Sequence, residues 1–200
     1  MPPEPRGAGL SPEETLKLGA VLAEAEGDGS EIPSAIAAIR LLVFTGCRMS
    51  EVLTLRWEHV DFGRSRLRLP DSKTGAKVVY LNTAARDVLT ALPRDPSGWV
   101  VPGAKAGQHL VNLEKPWRRL RARAGLDDVR LHDLRHSFAS VAAGLGGGLH
   151  MIGKPLGHSQ AQTTHRYAHL AADAVKAASQ RVADTLSGLM QGESKARAAS

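Results

Sequence analysis

RLRLPDSKTGAKVVYLN, residues 66–82, decides the fold class, because here the apolar period changes from helical to alternating. RLRL and KVVYLN each alternate along their length, and the PDSKTG between them is rich in turn residues. The pair predicts a β-hairpin with Lys73 near its tip. HVDF, residues 59–62, predicts a third short strand. The segments on either side read as helix, so the expectation is an α+β domain, mainly helical, with a small three-stranded antiparallel sheet.

Upstream of the hairpin, SPEE at 11–14 places Ser11 as N-cap, Pro12 at the first helical position and Glu14 three residues on. That capping box predicts a helix to about residue 25. EGDGSEIP ends it. From Pro33 a second helix carries Ile36, Ile39 and Val43 at helical spacing, with Leu41, Leu42 and Phe44 making it apolar nearly all round, so it should be central to the core. Gly46 breaks it. A third helix follows, in which Met49, Val52 and Leu53 should face inward while Arg48 and Glu51 share another face.

Downstream, residues 84–92 read as helix and a Pro/Gly-rich loop runs to about 108. Between 112 and 124, Leu113, Trp117, Leu120 and Ala124 form an apolar stripe, while Lys115, Arg119 and Arg123 repeat at i, i+4, i+8. The basic stripe is a candidate contact for backbone phosphates, or else a solvated helix face. Helical patterns recur at 132–143, 149–156 and 159–165, and an amphipathic segment spans 171–188. Residues 1–10 and 189–200 read as a disordered lead and tail around one domain, 11–188.

With 200 residues and 42% hydrophobic content the chain suits one globular core. Its 26 Lys and Arg exceed its 20 Asp and Glu, a net +6 that favours a polyanionic partner. A single cysteine, Cys47, allows no internal disulfide and reads as a small buried hydrophobe, which fits a reducing, cytoplasmic setting. The most apolar run, IAAIRLLVF, is short and broken by Arg40, so no membrane segment is expected.

LHDLRHSF, residues 131–138, concentrates the chemistry. His132 and Arg135 are three apart at a helix start, where side chains and helix terminus together suit an anion. His132 and His136, and likewise His165 and His169, also have the spacing of a zinc pair. Against zinc stand Asp133, where a zincin helix has glutamate, and the permanently charged Arg135 in the same turn. No metal and no cofactor are expected. TTHRYAHL, residues 163–170, adds Tyr167, one of only two tyrosines, beside Arg166 and between two histidines. A phenol with a pKa near ~10 becomes a useful nucleophile only where cations and proton carriers surround it.

In chain order these motifs are Arg48 in TGCRMSE, Lys73 in SKTG, His132 and Arg135 in HDLRH, His158 in LGH and Tyr167 in TTHRYAH. Taken alone each has an ordinary role: Arg48 paired with Glu51, Lys73 a turn lysine, His158 a helix cap, Tyr167 a core residue. In this order, each within its local signature, they resemble the tyrosine recombinase family of the phage integrase type, from about Ser11 to about residue 186.

The resemblance implies catalytic roles for Arg48, Lys73, His132, Arg135, His158 and Tyr167, an orienting role for Glu51, and double-stranded DNA as partner. It implies cleavage and rejoining through a 3′-phosphotyrosyl link, and assembly of protomers on DNA through the C-terminal helix. The alternatives are relaxation of the type IB topoisomerase kind and a DNA-binding remnant that does not cut. Family members carry an N-terminal core-binding domain for which the ten residues before Ser11 leave no room, so a catalytic fragment, a truncated gene product or a minimal member is expected. Two further departures are Pro155 in MIGKPLGH, where the family has an apolar residue, and four glycines in the five positions from Gly144 to Gly148.

Overall fold

The computed structural model describes residues 9–70, 76–144 and 164–192. Helix α1, Pro12–Gly27, starts as its capping box requires: Glu14 N–H donates to Ser11 Oγ over 3.2 Å and Ser11 N–H to Glu14 Oε2 over 2.8 Å. Leu18, Leu22 and Ala25 form its buried face. Gly19 sits where α1 meets the last helix, since a Cβ there would lie 2.5 Å from the Met190 carbonyl oxygen. Contact with the fold begins before the cap, because Leu10 N–H donates to Ser137 Oγ at 2.8 Å and Leu10 packs on the core.

Helix α2, Pro33–Thr45, is buried on every side except at its start and at Arg40, and it packs against five other helices besides α1. It ends at Gly46 in the left-handed conformation, φ 61°. A Cβ on Gly46 would fall 2.6 Å from Phe138 Cδ1, so the position needs glycine for both conformation and space. Gly46→Ala should therefore cost about 1–2 kcal/mol for the backbone and about 1–3 kcal/mol for crowding. For a domain of this size that lowers Tm by roughly 5–15 °C. A thermal melt within a degree or two of the parent would show that Phe138 yields freely.

Helix α3, Met49–Leu53, follows. Val52 and Leu53 are buried as expected, but Met49 is 40% exposed. Over only five residues the inward side of the helix is taken by positions 52 and 53, which leaves its first residue outside. The sheet is β1, Val60–Asp61, β2, Arg66–Leu69, and β3, Lys77–Tyr80, antiparallel in the order β1-β2-β3. Leu67 pairs with Val79 and Leu69 with Lys77, which confirms the hairpin and the third strand.

Helix α4, Thr83–Ala91, is capped by Asn82. Helix α5, Glu114–Arg123, buries Leu113, Trp117 and Leu120 along the expected stripe. Helix α6 is Leu131–Gly144, and α7, Thr164–Gln191, is one continuous helix where the sequence pattern gave separate segments. Ala178, Val182 and Leu186 of α7 are buried against its own domain. Buried Asn82 ties that docking together: its Nδ2 donates to the Phe44 carbonyl at 2.7 Å and to Ser179 Oγ at 3.3 Å. No helix among the described residues is long and apolar enough to cross a membrane. The segments 149–156 and 159–163, Pro155, and the tail from residue 193 lie outside the described residues, as do residues 1–8.

Candidate active site

Gly46 turns the chain out of α2 so that Arg48 becomes the N-cap of α3. Three donors from two cationic residues converge on Glu51, whose side chain is only 3% exposed. Arg48 N–H reaches Oε2 at 2.8 Å, Arg48 Nη1 reaches Oε1 at 3.0 Å, and Lys77 Nζ reaches Oε2 at 2.7 Å. Arg48 is thus gripped from behind while 32% of its side chain stays exposed. The bland reading of Arg48, an ion pair with Glu51, and its functional reading are compatible, because a buried carboxylate fixes the guanidinium without covering it.

Arg135, on α6, donates from Nη1 to the Gly46 carbonyl oxygen. The structure therefore brings the second arginine of the expected set to the loop that carries the first. His132 is exposed one turn earlier, with its ring edge-to-face against His136 at 4.6 Å. Asp133 accepts from Arg130 N–H at 2.8 Å and pairs with the Arg130 guanidinium at 3.1 Å, closing the first turn of α6. Among the described residues no group of three or more His, Cys, Asp or Glu side chains converges as a metal set would. The Tyr167 backbone lies in the first turn of α7, and its side chain lies outside the described ones, as do those of His165 and His169. Lys73 and His158 lie outside the described residues altogether.

Burial pushes the Glu51 carboxyl up, but Lys77, the Arg48 N–H and the Arg48 guanidinium together outweigh it and hold it below the usual carboxylate range. Asp133 is likewise pushed up by burial and held down on balance by Arg130 and neighbouring His136. A depressed carboxyl contributes stability that is present above its unfolded pKa, near ~4, and is lost as pH falls through the folded value. The urea midpoint should thus be level in these two terms from about pH 5.5 upward and fall below about pH 4. Glu51→Gln and Asp133→Asn should each make the acid fall shallower. An unchanged slope in both would show that neither carboxylate is coupled to folding. Burial also pushes the Cys47 thiol up, in keeping with a small hydrophobe that takes no part in chemistry.

Two arginines of the basic stripe of α5 have partners within the chain. Arg119 forms a bidentate pair with Glu31, whose side chain is 3% exposed, and Arg123 reaches Ser30 Oγ at 2.7 Å, Glu24 at 3.3 Å and Asp28 at 3.4 Å. Helix α5 packs on α1, so these arginines clasp the acidic α1–α2 connection, while Lys115 and much of the Arg119 side chain stay exposed. The signal was present as the run of acids from Glu24 to Glu31. Lys77 was also missed in the sequence. Its signal is a lysine sharing the inward face of β3 with Val79, where alternation calls for an apolar residue.

A family model described as the phage integrase family matches residues 10–174. The shufflon-specific DNA recombinase of Escherichia coli is 33% identical over 134 residues, covering 66% of this chain and 34% of that protein. Among solved structures, the integrase from mycobacterium phage Brujita aligns with TM-score 0.61 at 21% identity, over 94% of this chain and 60% of that one. The Tn1549 transposon integrase, in complex with circular intermediate DNA, aligns with TM-score 0.56 at 17% identity, over 84% of this chain and 62% of that one. The chain spans less than half the length of the curated relatives it matches. The structural likenesses bear out the α+β fold expected from the hairpin.

Proposed function

The chain belongs to the phage integrase family, and from that premise we propose that it is the strand-cleaving domain of a tyrosine-type site-specific DNA recombinase. The observation that carries the reading is the link between Arg135 and the Gly46–Arg48 loop: two family arginines, far apart in sequence, meet around one turn. Two arginines tied to one loop, Arg48 within it and Arg135 through the Gly46 carbonyl, suit a phosphodiester, whose transition state concentrates negative charge on non-bridging oxygens.

In this reaction the Tyr167 oxygen attacks phosphorus in line, the bond to the 5′-oxygen breaks, and a 3′-phosphotyrosyl link forms. Exposed His132 accepts the phenolic proton. Lys73 delivers a proton to the leaving 5′-oxygen, which departs as a hydroxyl. Arg48, Arg135 and His158 hold the phosphate. The link conserves the phosphodiester, so a 5′-hydroxyl of another strand reverses the step with no external energy source, no metal and no cofactor.

Double-stranded DNA is the partner in this reading, and the DNA complex of the Tn1549 integrase supports it at the level of a relative. Protomers would assemble on DNA as dimers or tetramers. Because the apolar stripe of α7 is covered within the chain, a second copy would meet its polar side, where Arg181, Asp184 and Thr185 are exposed. The setting implied is cytoplasmic.

The test is to incubate the protein with a nicked duplex and with supercoiled plasmid, with and without EDTA, and to resolve the products under denaturing conditions. A DNA-linked band that persists in EDTA is expected, with nuclease-trimmed adduct mapping by mass spectrometry to the peptide containing residue 167. An adduct at another residue, or cleavage only with metal, would overturn the chemistry. Plasmid relaxation without strand exchange would favour the topoisomerase reading, and DNA binding with no adduct the remnant.

A further inference from the structure

Lys77 is not among the six residues of the strand-transfer reading, yet it makes the closest contact to the carboxylate behind Arg48. It opens β3, paired with Leu69 at the end of the β2–β3 ladder. Strand alternation turns its side chain inward with that of Val79, and the side chain is only 22% exposed. Burying an ammonium stem there is costly unless it meets a partner, and its Nζ lies 2.7 Å from Glu51 Oε2.

That oxygen also accepts the Arg48 N–H at 2.8 Å, while Oε1 accepts Arg48 Nη1 at 3.0 Å. Glu51 is therefore a buried bridge between two cations on separate elements, one on the sheet and one on the loop after Gly46. Without Lys77 the buried carboxylate would keep Arg48 as its only partner among the contacts described here. The arginine would then be drawn toward neutralising Glu51 and away from a phosphate.

We propose that Lys77 is a positioning residue for DNA cleavage: by holding Glu51 from the sheet side it fixes the Arg48 guanidinium in place for the scissile phosphate. The inference rests on the strand-transfer reading and deepens it. It assigns Lys77 no proton transfer, since its ammonium is directed at a carboxylate that lies behind the arginine. It also explains why a lysine occupies an inward strand position: the sheet and the arginine loop are latched through one buried acid.

The experiment compares Lys77→Met, Lys77→Arg and the double variant Lys77→Met/Glu51→Gln with the parent protein. It reads single-turnover formation of the covalent adduct on a nicked duplex, and DNA affinity separately. Lys77→Met should slow adduct formation about 100-fold, the scale of a catalytic group displaced by about 1 Å, while DNA affinity stays within about threefold because one partly buried cation contributes little to the overall phosphate contact. Lys77→Arg should recover most of the rate. If Lys77→Met does not fold, Lys77→Gln, which keeps an N–H donor for Glu51 without the charge, takes its place, and the double variant is read only against Glu51→Gln alone: a rate equal to that of Glu51→Gln shows that Lys77 acts through Glu51, and a further loss overturns the proposal.

A Lys77→Met rate equal to the parent's overturns the proposal. So does a loss that disappears on a substrate whose leaving oxygen is replaced by sulfur, which needs no proton, because Lys77 would then be the acid. Should the parent protein form no adduct, the strand-transfer reading fails first. Lys77 is then judged by the Arg48 Nη–H resonances in a low-temperature ¹⁵N spectrum, since Nη1 is the atom that donates to Glu51. A resonance that moves further toward a charge-paired hydrogen-bonded shift in Lys77→Met, as the arginine is drawn onto Glu51, upholds the latch, and one that is unchanged removes it.

Discussion

Tyr167→Phe should bind DNA with the parent's affinity and form no covalent adduct at all. The substitution deletes one oxygen and no charge, so the phosphate contacts that dominate affinity are untouched. In the proposed reaction the atom that disappears is the one that forms the new bond to phosphorus. The residual rate should be indistinguishable from background, a loss of at least about 10⁴-fold against a catalysed step. Because Tyr167 lies in the first turn of α7 and the change removes one oxygen and keeps the ring, the thermal melt of the variant should match the parent's. The measurement is a pair of gels, native for binding and denaturing for the adduct. Adduct formation by Tyr167→Phe would transfer the nucleophile to another side chain and undo the assignment of the motif TTHRYAHL. Loss of binding together with loss of adduct would show instead that the phenol has a structural part in the DNA interface.

Local signals were the ones the sequence disclosed. Ser11, Pro12 and Glu14 specify a helix start within four residues, and the cap forms as they require. The change of period at residue 66 specifies the hairpin because each strand needs only its own alternation and a turn between. Helix α7 was harder. The pattern gave one segment ending at residue 165 and another starting at 171, because the polar run THRYAH between them carries no apolar stripe, although the backbone is continuous from Thr164.

The site divides in the same way. The order of Arg48, His132 and Arg135 could be read from short signatures, and the loop at Gly46 brings the two arginines together. Charge pairing across the fold could not be read in this way. Glu31 and Arg119 are separated by 88 positions, so the pairing of part of the α5 stripe with another element could not be seen from its spacing. Lys77 and Glu51 are separated by 26 positions and meet only once the sheet has folded against α3. In each case the missing information was which surface packs over the charge, and that is a property of tertiary packing.

Arg135→Ala should reduce the cleavage rate by about 10²–10³-fold, the range found when one fixed donor to a developing oxyanion is removed. The argument is geometric. The Arg135 guanidinium already gives one Nη1 hydrogen to the Gly46 carbonyl, which fixes its plane beside the loop bearing Arg48. A planar fork held by one edge can present other N–H groups to a phosphate without reorganising, which is the condition under which a donor is most effective in a transition state. Arg135→Lys keeps the charge but replaces the fork with a single ammonium that cannot bind the carbonyl and two phosphate oxygens in fixed directions at once. It should therefore remain at least about tenfold below the parent. Losing the tie to Gly46 should also loosen the turn, so Arg135→Ala should melt a few degrees lower, by about 1 kcal/mol for a partly exposed hydrogen bond. Single-turnover cleavage at saturating DNA separates the two effects, because the folded fraction can be checked independently by circular dichroism. A rate within about threefold of the parent's would mean that Arg135 serves only as a brace for the turn at Gly46, and the stabilisation of the phosphate would then have to come from Arg48 and groups elsewhere.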